Sequence, residues 1–148
     1  MSTAITPDLF INRELSLLQF NRRVLELAAD ASVPLLERLR FLCISSSNLD
    51  EFFEVRVARL QQQLKHDISP NDPAGMSADE QLSAIAKEAH KLVKDQYALF
   101  NDVLIPQLKK EEIHFLRRSE WTEAQSQWLS NHFKRELAPL LTPLGLDP

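Results

Sequence analysis

An all-α fold is expected for this chain of 148 residues, as an antiparallel bundle of three short helices followed by a long helical hairpin. Two features carry that expectation. Apolar residues recur every three or four positions nearly throughout, the period of a helix with one buried face. Short polar clusters divide those runs, and several open on the Ser/Thr/Asn-x-x-Glu/Gln pattern in which a side chain and a backbone amide cap a helix start reciprocally.

Taken in order, Leu15, Leu18, Val24, Leu25 and Ala28 share one face of a first helix, and Ser16 with Gln19 forms a capping-box pattern that would start it. Asp30-Ala31-Ser32 breaks the run. A second helix is expected to begin near Pro34, whose fixed φ suits a first helical turn, with a stripe of Leu35, Leu36, Leu39, Leu42 and Cys43. Ser45-Ser46-Ser47-Asn48 reads as a break, because short polar side chains compete for backbone hydrogen bonds inside a helix. Asn48 with Glu51 would then cap a third helix running to about Lys65. Its apolar positions, from Leu49 and Phe52 to Val57 and Leu60, spread wider than one stripe.

Residues 67–76 carry two prolines and a glycine and read as the clearest loop. They are taken as the boundary between an N-terminal helical domain (1–66) and a following helical region (67–148). Ser77 and Glu80 cap a long fourth helix, whose stripe runs from Leu82 and Ile85 through Ala89, Leu92, Val93 and Tyr97 to Phe100 and Leu104. Pro106 should kink it or end its regular hydrogen bonding. Ile113 to Leu116 looks short and extended. Thr122 and Gln125 cap a fifth helix with Trp128, Leu129, Phe133 and Leu137, and Pro139 to Pro148 is apolar and proline-rich.

Composition bounds the function. At this length roughly 70% of the unfolded chain's surface can be buried, so a core forms without staples. Cys43 is the only cysteine, which rules out an internal disulfide and suits a reducing cytoplasm. Met1 to Asp8 shows no apolar run for a signal peptide or membrane span, and the expectation is a protein with no integral membrane segment. With 17 Lys+Arg against 21 Asp+Glu, the formal charge of −4 opposes nucleic-acid binding. Residues 1–66 hold eight basic and eight acidic residues, and 67–148 hold nine and thirteen, so an anion-facing surface belongs in the first half. Gly75 and Gly145 are the only glycines, too few for a phosphate-cradling loop.

Three ordered blocks add a specific likeness. Ile11-Asn12-Arg13-Glu14-Leu15-Ser16 continues through Phe20-Asn21-Arg22-Arg23-Val24-Leu25; Pro34 to Leu42 reads PLLERLRFL; and Ser46-Ser47-Asn48-Leu49-Asp50-Glu51-Phe52-Phe53 is followed by Val55-Arg56-Val57. Together they resemble the opening of the long-type polyphosphate kinases, whose N-terminal segment has the form INRELSWLEFNRRVL. The likeness is strong to about residue 60 and looser beyond. Leu17 and Gln19 stand where that family usually has tryptophan and glutamate.

The resemblance implies reversible transfer of the ATP γ-phosphate onto polyphosphate, through a phosphohistidine and with Mg²⁺. The histidine lies in C-terminal domains that this chain does not reach, and His66, His90, His114 and His132 match none of the family's catalytic positions. No catalytic or metal-binding residue is therefore assigned here, and the chain alone is expected to be inactive. The resemblance also implies that Asn48 contacts ATP as the helical domain closes the nucleotide site. It further implies that the domain beginning near residue 70 supports a homo-oligomer.

The residues themselves allow plainer roles. Asn48 is a favoured N-cap, worth about 1 kcal/mol, and a helix start also presents free N–H groups to a ligand. Asp50 and Glu51 diverge by about 100° on a helix, and are read as first-turn carboxylates favoured by the dipole. Phe52 and Phe53 suit core packing better than base stacking. The arginines at 22, 23, 38, 40, 56 and 59 are expected to be solvated or paired with Glu26, Glu37 and Glu54, with one or two near phosphate. Cys43 is taken as a small buried residue, and Trp121 and Trp128 as core or interface anchors. The competing reading is a stand-alone helical interaction module using the Leu82–Leu104 stripe.

Overall fold

The computed structural model describes residues 6–66, 68, 72–142 and 144–145. The expected polar start at 1–5, much of the 67–76 loop and the final prolines lie outside the described residues. The all-α expectation holds: among the described residues every regular element is helical. Helices α1 (Arg13–Ala29), α2 (Leu35–Glu51), α3 (Ala58–Lys65), α4 (Ala78–Ala98), α5 (Ile105–Lys110) and α6 (Glu123–His132) are joined in part by wider π-type turns at Phe52–Val57 and Leu99–Leu104. Two compact units result, Met1–Ile113 and His114–Pro148.

In the first unit α1 packs against α2 and α4, and α3 against α4. The inward positions are Leu18, Asn21, Leu25 and Ala28 on α1, and Arg38, Leu42, Ser45 and Leu49 on α2. On α4 they are Ala78, Gln81, Ile85, Ala89, Leu92 and Gln96. Each set steps by three or four residues, as one face of a helix must. Ile85, Leu92, Leu104 and Leu108 are almost completely buried, and each stabilises the fold by about 1.5–3 kcal/mol through lost apolar surface. The expected domain-boundary loop therefore joins helices that share one core, while the division between compact units follows Ile113.

The largest difference from expectation is at Ser45–Asn48. These residues are the interior of α2, which continues through Phe52–Val57 into α3, so the three short helices are two, the second one long. The reason is tertiary. Ser45 is fully buried, its carbonyl oxygen accepts from Asn21 Nδ2 at 2.8 Å, and its Oγ accepts from Gln96 Nε2 at 2.9 Å. Buried hydrogen bonds of this kind outweigh the weak local preference of serine for caps and turns. The wide spread of apolar positions after Leu49 has its cause in the π-type turn: the inward residues Leu49, Phe52, Val57 and Leu60 include one step of five.

Helix α1 begins at Arg13 rather than at Ser16. Asn12 caps it, its Oδ1 accepting from the amides of Glu14 and Leu15 at 3.0 Å each. Asn12 Nδ2 also donates to Asp72 Oδ2 at 3.0 Å, which ties the start of α1 to the turn before α4. In that turn Gly75 has φ +77°, a left-handed conformation that side chains resist, and a Cβ there would meet Pro7 at 3.4 Å. Pro106 behaves as expected: the regular α pattern gives way at Leu99–Leu104 and resumes with proline in the first turn of α5. The fourth helix finds its partners in α1 and α3.

Cys43 is exposed, since Leu42, Ser45 and Leu49 set the inward face of α2 and residue 43 lies about 100° away. Tyr97 is also outside the core, 65% exposed. In the second unit the Thr122–Gln125 capping box forms as expected, but no described residue there is buried. Trp128 stacks on His132, with ring centroids 5.1 Å apart.

The Ser77–Glu80 capping box opens α4. Glu80 Oε2 accepts from the Ser77 amide and hydroxyl at 2.8 Å each, and these two bonds hold its carboxyl below the ordinary glutamate value. Because the folded pKa is depressed, the contribution is present above the unfolded value of about 4.3. It is lost as pH falls through the lower folded value. Wild type should melt above Glu80→Gln at neutral pH, and the gap should close as pH falls below the ordinary glutamate range. A gap that stays constant with pH would contradict this origin. Asp30 follows the same sign, lowered first by the Ser32 hydroxyl and then by the Ser32 amide.

Candidate functional site

Asn48 lies where α1 and the α2 end of the long helix diverge around a cleft of about 290 Å³. From α1 come Leu17, Phe20 and Asn21; from the facing side come Asn48, Phe52 and Val55, with Glu51 and Arg56 also on the lining. The π-type turn shapes the second wall, because its extra residue per turn carries Val55 and Arg56 to the cleft while Phe52 and Val57 stay inward. Leu17, Phe20 and Val55 are 37%, 50% and 57% exposed, so the walls are apolar surface left open to solvent. Apolar walls with a few fixed polar groups are the usual make-up of a small-molecule site. The volume is at the lower end of such sites, about 300 Å³, and suits one ring system better than a whole nucleoside triphosphate.

The polar group in the cleft is held by a network that spans three helices. Asn48 Nδ2 donates to Asn21 Oδ1 at 3.3 Å, and Asn21 Nδ2 donates to the Ser45 carbonyl at 2.8 Å. Gln96 Nε2 of α4 donates to Ser45 Oγ at 2.9 Å. Asn21 and Gln96 are 4% and 8% exposed. Asn48 is thus no helix cap. It lies inside α2, and the expected benefit of helix-start N–H groups and positive dipole is absent. Asp50 and Glu51 likewise end α2 instead of beginning a helix, and both are exposed.

The other candidates separate. Phe52 is buried and Phe53 is 40% exposed, their rings edge to face with centroids 5.8 Å apart. Arg22 pairs with Asp95 of α4 at 2.8 Å, and Arg40 with Glu37 at 3.7 Å. Arg23 lies over the Phe20 ring at 5.8 Å, and Arg56 reaches Glu14 at only 4.0 Å. Arg38 departs most from expectation. It is 4% exposed, and its guanidinium donates to the carbonyls of Ala28 and Ala29 at 2.9 and 3.4 Å and to Gln107 Oε1 at 2.7 Å. Its charge closes the C-terminal end of α1, where carbonyls lack helical partners and the dipole favours a cation.

Sequence reasoning missed Asn21, Ser45 and Gln96 because it assigned polar residues to caps, breaks and surface, and only apolar ones to the core. Their signal was positional: Ser45 falls between Leu42 and Leu49, and Asn21 between Leu18 and Leu25, at helical spacing within buried stripes. Among the described residues, no group of three or more His, Cys, Asp or Glu stands close enough to hold a metal ion. No helix among them is long and apolar enough to cross a membrane.

A family model described as the polyphosphate kinase N-terminal domain matches residues 10–116. A polyphosphate kinase from Neisseria meningitidis serogroup A is 56% identical over 136 residues, covering 92% of this chain and 20% of the relative. A polyphosphate kinase from Pseudomonas syringae pv. tomato is 50% identical over 141 residues, 95% of this chain and 19% of the relative. The crystal structure of polyphosphate kinase from Porphyromonas gingivalis superposes with a TM-score of 0.70 at 34% identity, over 91% of this chain and 19% of that one. The chain spans about a fifth of the length of the relatives it matches.

Proposed function

The chain belongs to the polyphosphate kinase family through its N-terminal domain, and on that footing we propose that it forms the base-facing wall of the ATP site in an ATP:polyphosphate phosphotransferase. The observation that carries the proposal is the placing of Asn48 in an apolar-walled cleft of ring-system size. Asn48 supplies a hydrogen bond to the base, and Leu17, Phe20 and Val55 supply apolar area beside it. Arg56, weakly held by Glu14, is the arginine best placed for a phosphate oxygen.

In this reading the phosphoryl transfer itself, its phosphohistidine and its Mg²⁺ belong to polypeptide outside the chain. Mg²⁺ is commonly held by substrate phosphates together with one or two carboxylates. In-line phosphoryl transfer depends mainly on positioning and charge stabilisation, and the contribution of this domain is positioning. Support of a homo-oligomer is proposed for residues 67–148, where Trp128, Phe133 and Leu137 leave apolar surface open.

The test is Asn48→Ala in the full-length kinase. Loss of one hydrogen bond to the base should raise the apparent KM for ATP by about tenfold, the equivalent of about 1.4 kcal/mol, with kcat changed much less. An unchanged KM would remove Asn48 from the site. The purified 148-residue chain should make no polyphosphate from ATP, and synthesis by it would overturn the division of labour.

A further inference from the structure

We propose that Asn21 is a positioning residue that fixes which way round the Asn48 amide faces the cleft, so that an oxygen acceptor is presented and a base bearing an amino group is preferred. This deepens the reading of the cleft as a base site and rests on it.

The chain of constraint starts at a backbone atom. The carbonyl oxygen of Ser45 can only accept, and the group that reaches it, at 2.8 Å, is the side-chain amide of Asn21. Turned over by 180°, Asn21 would set its own oxygen against that carbonyl, two acceptors face to face in a place where Asn21 is 4% exposed. The NH₂ end of Asn21 is therefore committed to Ser45, and its Oδ1 faces Asn48. An oxygen there requires a donor, so Asn48 turns its Nδ2 inward, at 3.3 Å. That leaves Asn48 Oδ1, without a hydrogen-bond partner among the described residues, as the acceptor available to the cleft that Asn48 lines.

The anchor is itself secured. Ser45 has no exposed surface, and its hydroxyl accepts from Gln96 of α4, so the carbonyl that sets the polarity is clamped by a third helix. An amide orientation is settled by its network, and here the network runs to an atom whose role is invariant. A fixed acceptor pairs with an exocyclic amine and meets an exocyclic oxygen as a repulsive neighbour. Adenine carries an amine at C6, and hypoxanthine carries an oxygen there. The device would thus let the domain discriminate bases through a neutral amide.

The experiment compares kcat/KM for ATP, ITP and purine riboside triphosphate, which lacks any C6 substituent, in the full-length kinase and in its Asn21→Leu and Asn48→Ala variants. Wild type should prefer ATP over purine riboside triphosphate by about tenfold, one hydrogen bond's worth, and over ITP by more. In Asn21→Leu, Asn48 is free to turn over, and the ATP/ITP ratio should fall by about tenfold. A purely structural role for Asn21 would lower activity on all three nucleotides together, and an unchanged ratio in a folded Asn21→Leu protein overturns the assignment. If that variant melts below the assay temperature, the wild-type series decides: equal kcat/KM for ATP and ITP overturns it. An unchanged KM for ATP in Asn48→Ala would instead overturn the base-site reading, and is distinguishable because the Asn21 comparison does not enter it.

Discussion

Arg38→Ala should lower the stability of the folded chain by about 3 kcal/mol, because it takes a buried charged donor away from three neutral acceptors. The substitution strands the carbonyls of Ala28 and Ala29 and the side chain of Gln107, all of which accept from the guanidinium. Hydrogen bonds to charged groups contribute about 1.5–3 kcal/mol each, and the carbonyls left behind at the end of α1 lose a favourable cation as well. Arg38→Lys should recover only part of the loss, because an ammonium is a point charge that cannot reproduce the planar fork. Urea denaturation followed by circular dichroism reads both values. A midpoint for Arg38→Ala equal to wild type would mean that this arginine is solvated, as sequence alone suggested.

Neighbouring serines should respond with opposite signs. Ser45→Val is expected to cost about 3 kcal/mol, since it leaves the buried Gln96 amide without its acceptor and forces extra methyl volume into a closed site. Ser46→Ala and Ser47→Ala change exposed positions of the same helix. They should stabilise by a few tenths of a kcal/mol, as alanine is the better helix former. Were Ser45–Asn48 a break between helices, all three positions would tolerate substitution alike. The same denaturation series therefore tests the continuity of α2, on which the placing of Asn48 depends.

Much of the helical framework was legible from local chemistry. The capping boxes at Ser77 and Thr122, the start of α2 beside Pro34 and the end of α3 at Lys65 all stand where short-range rules put them. These features involve groups within four residues of one another, so no distant part of the chain has to be known. Family membership was legible as well, because the ordered blocks before residue 60 survive in any representation of the chain.

The site was legible only as a name. Asn48 could be singled out, but its role as a helix cap fails, because it lies inside α2 with its amide bonded to Asn21 beside a cleft. Local reasoning treats Ser, Asn and Arg as surface or boundary residues, which is right wherever water is their best partner. In this fold Asn21, Arg38, Ser45 and Gln96 all face inward, and their partners lie between 9 and 69 residues away.

Helical class, most caps and ends, and the family thus follow from short-range patterns along the chain. Tertiary structure alone decided that α2 runs unbroken through three serines, that Arg38 closes α1 from inside, and that α1 and the widened turn at Phe52–Val57 part around Asn48. The physical reason is one of magnitude. Helix propensities differ by at most about 0.7 kcal/mol among ordinary residues, whereas a buried polar group left unpaired costs about 1–3 kcal/mol. Where both act on the same residue, the distant partner wins.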